Sequence, residues 1–235
     1  EIASCLVGSE MCIRDSIYIL HQRLKQRYPD APLCIMGHSM GSFLTRTYLI
    51  RYPGTVKAAV IMGTGWQPRA AITGGLALAN AIAAVSGENA TSELVTELAF
   101  GSYNKLFAPN RTKVDWLSAD ESNVDDYIAD PLCGADATVG LFRQMLHGIR
   151  FNQRQSHLRQ MDREMPVLFV AGDKDPVGNC GKGVRQTYDA FRAAGMRDCT
   201  LKLYPGLRHE ILNEKAYTAD ITKNIEAWLL SRLEK

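Results

Sequence analysis

The chain has 235 residues, of which 46% are hydrophobic and 22% charged, and its formal net charge is +2 at pH 7. A chain of this length and composition can bury one sizeable core, so we expect a single main domain. Its charges are of mixed sign and form no basic face interleaved with aromatic residues, which excludes nucleic acid as the expected partner. The expected partner is a small neutral or weakly charged molecule, and the sequence indicates no oligomeric state.

The cysteines are scattered, without the CxxC pairs or Cys/His clusters that bind metal ions, so we expect no metal site. Cys34 lies in an apolar run and is predicted to be a small buried side chain. This favours a reducing compartment, and hence a cytoplasmic location, over a disulfide framework, although an even number of cysteines also permits bridges. The sequence holds no run of about eighteen apolar residues, so we predict no transmembrane segment.

The first sixteen residues differ in character from the rest of the chain. The string SCLVGSEMCIRDS resembles a translated sequencing adapter, and we predict that residues 1–16 are a non-native segment. This stretch lacks the basic start, long apolar middle and small-residue cleavage site of a secretory signal. The predicted fold therefore begins at residue 17.

From residue 17 onward, helical spacing alternates with short apolar runs that are typical of buried parallel strands. The predicted strands are 32–36, 56–62, 166–171 and 199–204. The predicted helices are 17–27, 43–52, 183–194 and 217–233. Strands that alternate with helices in this way indicate an α/β fold with a mostly parallel sheet covered by helices.

Residues 66–161 break this alternation, because they are helical and polar in character and contain no convincing strand. We predict that they form a helical cap inserted between two parts of the core, 17–65 and 162–235. The aromatic residues of this segment, Phe100, Tyr103, Phe107 and Trp116 among them, are expected in the cap, and its apolar residues are expected to line a substrate pocket. The acidic run from Asp120 to Asp130 is expected to form a solvated face, and structural decoration is the alternative interpretation.

The segment Gly37-His38-Ser39-Met40-Gly41 fits the G-x-S-x-G pattern, in which a tight strand-to-helix turn presents a nucleophilic serine at the carboxyl edge of a sheet. The pattern alone arises by chance, but here an apolar strand precedes it and a helix follows. Glycines are expected at both ends because a side chain at either position would collide across the turn. Ser39 is the candidate nucleophile, and the Met40 N–H is the candidate oxyanion-hole donor.

A serine hydroxyl is a poor nucleophile until a base removes its proton, so a histidine is required nearby in space. Only His209 follows a late strand, in a loop that is able to reach the serine. The other histidines lie on the first helix, within the turn itself, or in or near the cap: His21, His38, His147 and His157. His209 is therefore the candidate general base.

The base needs a carboxylate to orient it and to stabilise its protonated form. Asp173 and Asp175 both follow the third predicted strand. We favour Asp175, because Pro176 restricts the loop that carries it, and we expect Asp173 to form the turn by bonding its own backbone. The predicted order along the chain is serine, aspartate, histidine.

Three segments together resemble the monoacylglycerol lipase and lysophospholipase branch of the α/β hydrolases, a group also classed with the serine aminopeptidases. These segments are GHSMGS, VLFVAGDKDPVG and LYPGLRHEILNE. The resemblance covers nearly everything after Ser16 and implies the α/β-hydrolase fold with a triad of Ser39, Asp175 and His209. It also implies hydrolysis of carboxylic esters, such as monoacylglycerols, lysophospholipids or similar lipid-like esters, through an acyl-enzyme and without a cofactor.

The sequence departs from this branch at its start. Members of the branch carry about three or four strands before the helix that leads to the serine, and a His-Gly loop among them donates the second oxyanion-hole N–H. We therefore expect the early strands to be missing and the chain to be N-terminally truncated. Two alternatives remain: amide or peptide hydrolysis by the same triad, as in relatives like proline iminopeptidase, and a truncated hydrolase domain without turnover.

Overall fold

The computed structural model describes residues 10–234 of the chain. The strands are β1 (Cys34–His38), β2 (Ala58–Met62), β3 (Val167–Gly172) and β4 (Cys199–Tyr204). The helices are α1 (Glu10–Arg27), α2 (Met40–Arg51), α3 (Arg69–Ser86), α4 (Glu93–Lys105), α5 (Glu121–Ala129), α6 (Val139–Asn152), α7 (Gln155–Leu158), α8 (Lys182–Ala193) and α9 (Thr218–Leu233), and a short 3₁₀ turn covers Asp115–Leu117.

The sheet is parallel throughout, with its strands in the order β1-β2-β3-β4. Neighbouring residues along β2 belong to different sides of the sheet: Ile61 packs in one cluster with side chains of α1, α2 and α8, and Val60 packs in another with side chains of α9. Burial on both faces explains why the two central strands, β2 and β3, are continuous apolar runs rather than alternating ones. The predicted α/β class is confirmed.

The edge strand β1 is less buried than its sequence suggested. It begins at Cys34, two residues later than predicted, and among the described residues it pairs with β2 alone. Met36 is 45% exposed, and Cys34 is also exposed. The prediction of a buried Cys34 is therefore wrong, because no described element covers this part of the edge strand.

Helix α1 begins at Glu10, so the last residues of the segment that we predicted to be non-native continue into the first helix of the core. The prediction for residues 1–9, including Cys5, lies outside the described residues. Four described cysteines are free thiols: Cys34, Cys133, Cys180 and Cys199.

Between β2 and β3 the chain forms the helices α3 to α7. Thr91 and Thr138, in the loops between these helices, form an isolated antiparallel β-bridge. Helix α3 packs on α6, where a side chain in place of Gly75 would lie 2.9 Å from Leu146. Several aspartates of the acidic run make exposed polar contacts; Asp126, for example, pairs with Lys215. We refer to residues 66–161 as the cap.

Helix α3 is long and apolar enough, by length and composition alone, to cross a membrane, with a mean hydropathy of 1.3 over 18 residues. A single helix of this kind is a weak indication of a span. In this fold the helix buries Ile72, Leu76 and Ala79 within the cap. Its apolar character therefore has a role in the packing of the cap.

Candidate active site

Ser39 lies in the sharp turn between β1 and α2. Its backbone angles, φ 55° and ψ −120°, fall in a region that residues with side chains rarely adopt. The Ser39 N–H donates to the carbonyl of Met62 at the end of β2, at 3.0 Å, so the neighbouring strand holds the turn. Strained backbone of this kind persists only where the surrounding structure enforces it, and it is concentrated at functional sites.

The glycines that flank this turn differ from each other. A Cβ atom at Gly37 would lie 2.2 Å from the Gly41 carbonyl oxygen and 2.3 Å from Thr45 Oγ1, so Gly37 is required for the close approach of strand and helix. A Cβ atom at Gly41 would meet nothing within 4 Å. The predicted collision is confirmed at Gly37 and wrong at Gly41, which faces open space.

Asp175 and His209 form a buried pair at the carboxyl edge of the sheet. His209 Nδ1 lies 3.0 Å from Asp175 Oδ2, and the two residues are 2% and 0% exposed. The other carboxylate oxygen, Oδ1, accepts the Val177 N–H at 2.9 Å. Because both oxygens are engaged, the carboxylate is fixed in place and can hold the imidazole in one tautomer.

Ser39 and His209 both lie beside the end of β2. The Met62 carbonyl binds the Ser39 N–H, and a Cβ atom on the next residue, Gly63, would lie 3.0 Å from His209 Cε1. Trp116 lies near both residues: its ring centroid is 5.2 Å from that of His209, and it lines the same cavity as Ser39. The Ser39 hydroxyl makes no hydrogen bond to the described residues, and such bonds often tighten only when substrate is bound.

The loop that carries His209 is held closely against β3. A Cβ atom at Gly172 would lie 2.0 Å from the Leu207 carbonyl oxygen, so only glycine permits this approach. Asp173 Oδ1 accepts the Gly206 N–H at 2.8 Å. Our expectation that Asp173 bonds its own backbone is therefore wrong: it ties the end of β3 to the turn after β4.

The cap also holds this loop. The Arg208 guanidinium donates to the Ser118 carbonyl at 2.9 Å. The buried carboxylate of Glu214 accepts the Ala119 N–H at 2.7 Å and the Asp120 N–H at 3.1 Å. Sequence reasoning missed these anchors, because their partners lie ninety or more positions apart and no local pattern links them.

His38, within the nucleophile turn, contacts the base directly. Its Nε2 lies 3.0 Å from the His209 carbonyl oxygen, and the two rings are 4.5 Å apart at their centroids. Burial lowers the pKa of His38, and the nearby His209 lowers this pKa further. A neutral His38 with its proton on Nε2 can donate to this carbonyl, which indicates that His38 helps to position the loop.

A cavity of about 470 Å³ opens beside Ser39. Its lining is supplied largely by the cap and includes three of the aromatic residues noted in the sequence: Phe100, Tyr103 and Trp116. Among residues 10–234, no Asp, Glu, Lys, Arg or His lines it. Phe107 lies instead against the Arg208 guanidinium, which is centred 4.0 Å from its ring, so this aromatic does not line the cavity.

Met40 begins α2 and also lines the cavity. The first N–H groups of a helix have no acceptor within the helix, and the Met40 N–H directly follows the nucleophile. Its part in an oxyanion hole, like the roles of the three candidate triad residues, remains a prediction.

The remaining histidines have other contacts. His21 stacks near Tyr18, His147 Nδ1 lies 3.0 Å from the Arg150 guanidinium, and His157 Nδ1 lies 2.9 Å from the Phe151 carbonyl. Within residues 10–234, no group of three or more His, Cys, Asp or Glu side chains is arranged to hold a metal ion.

A serine at a strained strand-to-helix turn, followed along the chain by an aspartate and a histidine at the same edge of a parallel sheet, is the arrangement of the α/β hydrolases. A family model described as "Serine aminopeptidase, S33" matches residues 8–216. The chain belongs to this family, in the branch that contains the monoacylglycerol lipases.

Two relatives of known name extend well beyond this chain. A monoacylglycerol lipase from Mycolicibacterium smegmatis is 31% identical over 211 residues, which are 88% of this chain and 65% of the relative. A monoglyceride lipase from Mus musculus is 26% identical and covers 89% of this chain and 62% of its own length. This chain thus spans slightly less than two thirds of these relatives.

Among solved structures, a thermostable carboxyl esterase from Bacillus coagulans, in complex with glycerol, superposes with a TM-score of 0.88 at 23% identity. The match covers 95% of this chain and 72% of the esterase. This similarity shows the fold.

Proposed function

We propose that this chain carries the catalytic residues of a serine hydrolase that cleaves carboxylic esters with an apolar acyl chain, with monoacylglycerols and related lipid-like esters as the substrate class. The observation that carries the proposal is the cavity beside Ser39, whose described lining residues carry no charge. An apolar cavity of about 470 Å³ suits a hydrocarbon chain, because burial of each CH₂ group contributes about 0.8 kcal/mol to binding. The names of the relatives support the same class.

In the proposed reaction, Ser39 Oγ attacks the ester carbonyl while His209 Nε2 accepts the serine proton. The Met40 N–H stabilises the oxyanion of the tetrahedral intermediate. His209 then gives its proton to the leaving alcohol, and an acyl-enzyme remains on Ser39. A water molecule, deprotonated by His209, then attacks the acyl-enzyme. His209 returns this proton to Ser39 Oγ as the bond between Oγ and the acyl carbon breaks, which releases the carboxylic acid and regenerates the enzyme. Throughout the reaction, the Asp175 carboxylate accepts a hydrogen bond from the Nδ1–H group of His209 and stabilises the imidazolium.

The same triad could cleave amides, and the family description names aminopeptidases. An aminopeptidase must bind the positively charged amino end of its substrate, for which a carboxylate is the natural partner. The described cavity lining offers no carboxylate. This absence favours esters over aminoacyl amides.

Labelling with a fluorophosphonate probe tests the nucleophile. We expect an adduct on Ser39 in wild-type protein, none in Ser39→Ala, and full labelling in the exposed control Ser231→Ala. Folding is checked by circular dichroism in each case. Wild-type protein that is folded but remains unlabelled would establish the alternative of a truncated domain without turnover.

A substrate panel tests the class. We expect hydrolysis of nitrophenyl esters and monoacylglycerols, with rates that rise with acyl length until the cavity is filled, and little turnover of aminoacyl naphthylamides. A preference for the naphthylamides would overturn the ester assignment while leaving the triad intact.

A further inference from the structure

A second cavity, of about 480 Å³, lies where the start of α3 meets the α6–α7 junction. Three arginines line it: Arg69, the first residue of α3, Arg150 near the end of α6, and Arg154 directly before α7. None of the described aspartates or glutamates lines it. The cavity thus concentrates positive charge without a carboxylate in its wall.

These three guanidinium groups also have no ion-pair partner in the described part of the chain, whose arginine ion pairs involve Arg111, Arg143, Arg197 and Arg232. Within the described part of the chain, the Arg150 side chain bonds only the ring of His147, which is not an anion. The pKa of His147 is lowered by burial and then by the positive charges of Arg150 and Arg143. Of the arginines that line the cavity, Arg150 is the one whose charge acts on His147.

Two further features close to the cavity lining add to its positive charge. Helix α3 has no acidic residue in its first turn and no side-chain cap at Pro68, so the positive end of its dipole is uncompensated. Arg46 is fully buried, and its guanidinium lies 6.0 Å from the ring of Trp66, which lines the cavity. Arg46 donates to the Gly65 carbonyl at 2.9 Å, and none of its described partners is a carboxylate.

We propose that this cavity binds the phosphate group of a small molecule, with Arg69, Arg150 and Arg154 as the charged donors and Ser156 as a neutral one. The planar guanidinium fork matches phosphate oxygens two at a time, which makes arginine the preferred residue for this anion. The volume admits a phosphate monoester. Phosphate therefore satisfies both the charge and the hydrogen-bonding capacity of the lining.

This site is separate from the one at Ser39. Ile72 lines both cavities and stands between the charged site and the apolar one. A bound phosphate would connect the start of α3 to α6 and α7, and so brace one end of the cap. Because its test measures binding, the proposal does not depend on the proposed hydrolysis.

Isothermal titration calorimetry of the full chain with inorganic phosphate, at low ionic strength, tests the site. We expect saturable binding that weakens by about tenfold or more in Arg69→Gln and in Arg154→Gln, because each substitution removes charge-assisted hydrogen bonds. Arg69→Lys and Arg154→Lys keep the charge but lose the fork, so we expect intermediate affinity. Arg23→Gln, an exposed arginine on α1 outside this lining, is the control for net charge.

Glycerol 3-phosphate and vesicles with and without phosphatidic acid complete the experiment. We expect the soluble monoester to bind, with the same dependence on Arg69 and Arg154. Absence of phosphate binding by folded wild-type protein would overturn the proposal, as would equal weakening in Arg23→Gln. Binding to anionic vesicles without affinity for either soluble phosphate would also overturn it and assign the arginines to a membrane surface.

Discussion

The α/β core and the cap contribute to the candidate active site in different ways. In the core, Ser39, Asp175 and His209 follow three strands and are held by backbone hydrogen bonds and by glycines such as Gly37 and Gly172 that permit close approach. The cap supplies a broad apolar surface and a few buried anchors for the base loop. The positions of the three core side chains depend on individual hydrogen bonds and close contacts. The apolar surface of the cavity depends instead on the combined shape of many cap side chains.

Substitution of Asp175 is expected to have the largest effect and tests the contribution of the core. We expect Asp175→Asn to lower kcat for a nitrophenyl ester by about 10⁴-fold, because the amide cannot hold the imidazole in the required tautomer. Asp173→Asn is the matched control: its side-chain oxygen can still accept the Gly206 N–H, so activity should persist. A loss of similar size in Asp173→Asn, with Asp175→Asn active, would assign the acid to Asp173.

Glu214 tests whether the cap positions the base. Glu214→Gln leaves one buried backbone N–H of the Ala119–Asp120 pair facing an amide NH₂ group, and we expect the base loop to shift. A small displacement of this kind costs up to about a hundredfold in kcat. The exposed control Glu226→Gln should have unchanged kcat. Wild-type kcat in Glu214→Gln would show that the core alone holds His209.

Substitutions at Phe142 and Phe191 distinguish the role of the cavity lining from that of the core. Both are buried, at 4% and 0% exposure, but Phe142 lines the cavity and Phe191 packs against Phe169 in the core. Each Phe→Ala change should destabilise the fold by about 3–5 kcal/mol. Only Phe142→Ala should change the preferred acyl length, by up to about tenfold in relative kcat/KM. Equal acyl-length profiles in the two variants would remove the cavity from substrate selection.

His38 gives the smallest expected effect, on pH dependence. Its pKa is lowered in the folded state by burial and by His209, so the unfolded chain binds the proton more readily, and stability falls as pH drops through about 6.5. His38→Gln can still donate to the His209 carbonyl and lacks this titration. We therefore expect the wild-type protein to lose more stability than His38→Gln between pH 7 and pH 5, by a few degrees in Tm. Identical losses would mean that His38 does not contribute.

The strands and the nucleophile turn were predictable, because their signals are local. Apolar runs place β2, β3 and β4 within two residues of their observed bounds, and Ser39 lies between a strand and a helix as its pattern requires. The helix after the turn was placed three residues late, since Met40 and Gly41 give no helical signal of their own. The exposure of Cys34 was not predictable, because it depends on the position of β1 at the sheet edge.

By itself, the sequence determined the alternation of strands and helices, and it predicted the bounds of the cap and the three candidate triad residues, because periodicity and turn chemistry are properties of neighbouring residues. Only the tertiary structure decided that Asp173 ties two loops together, that Glu214 and Arg208 bind the cap, and which side chains line each cavity. These contacts join residues 33 to 95 positions apart, and no local pattern records a partner that distant.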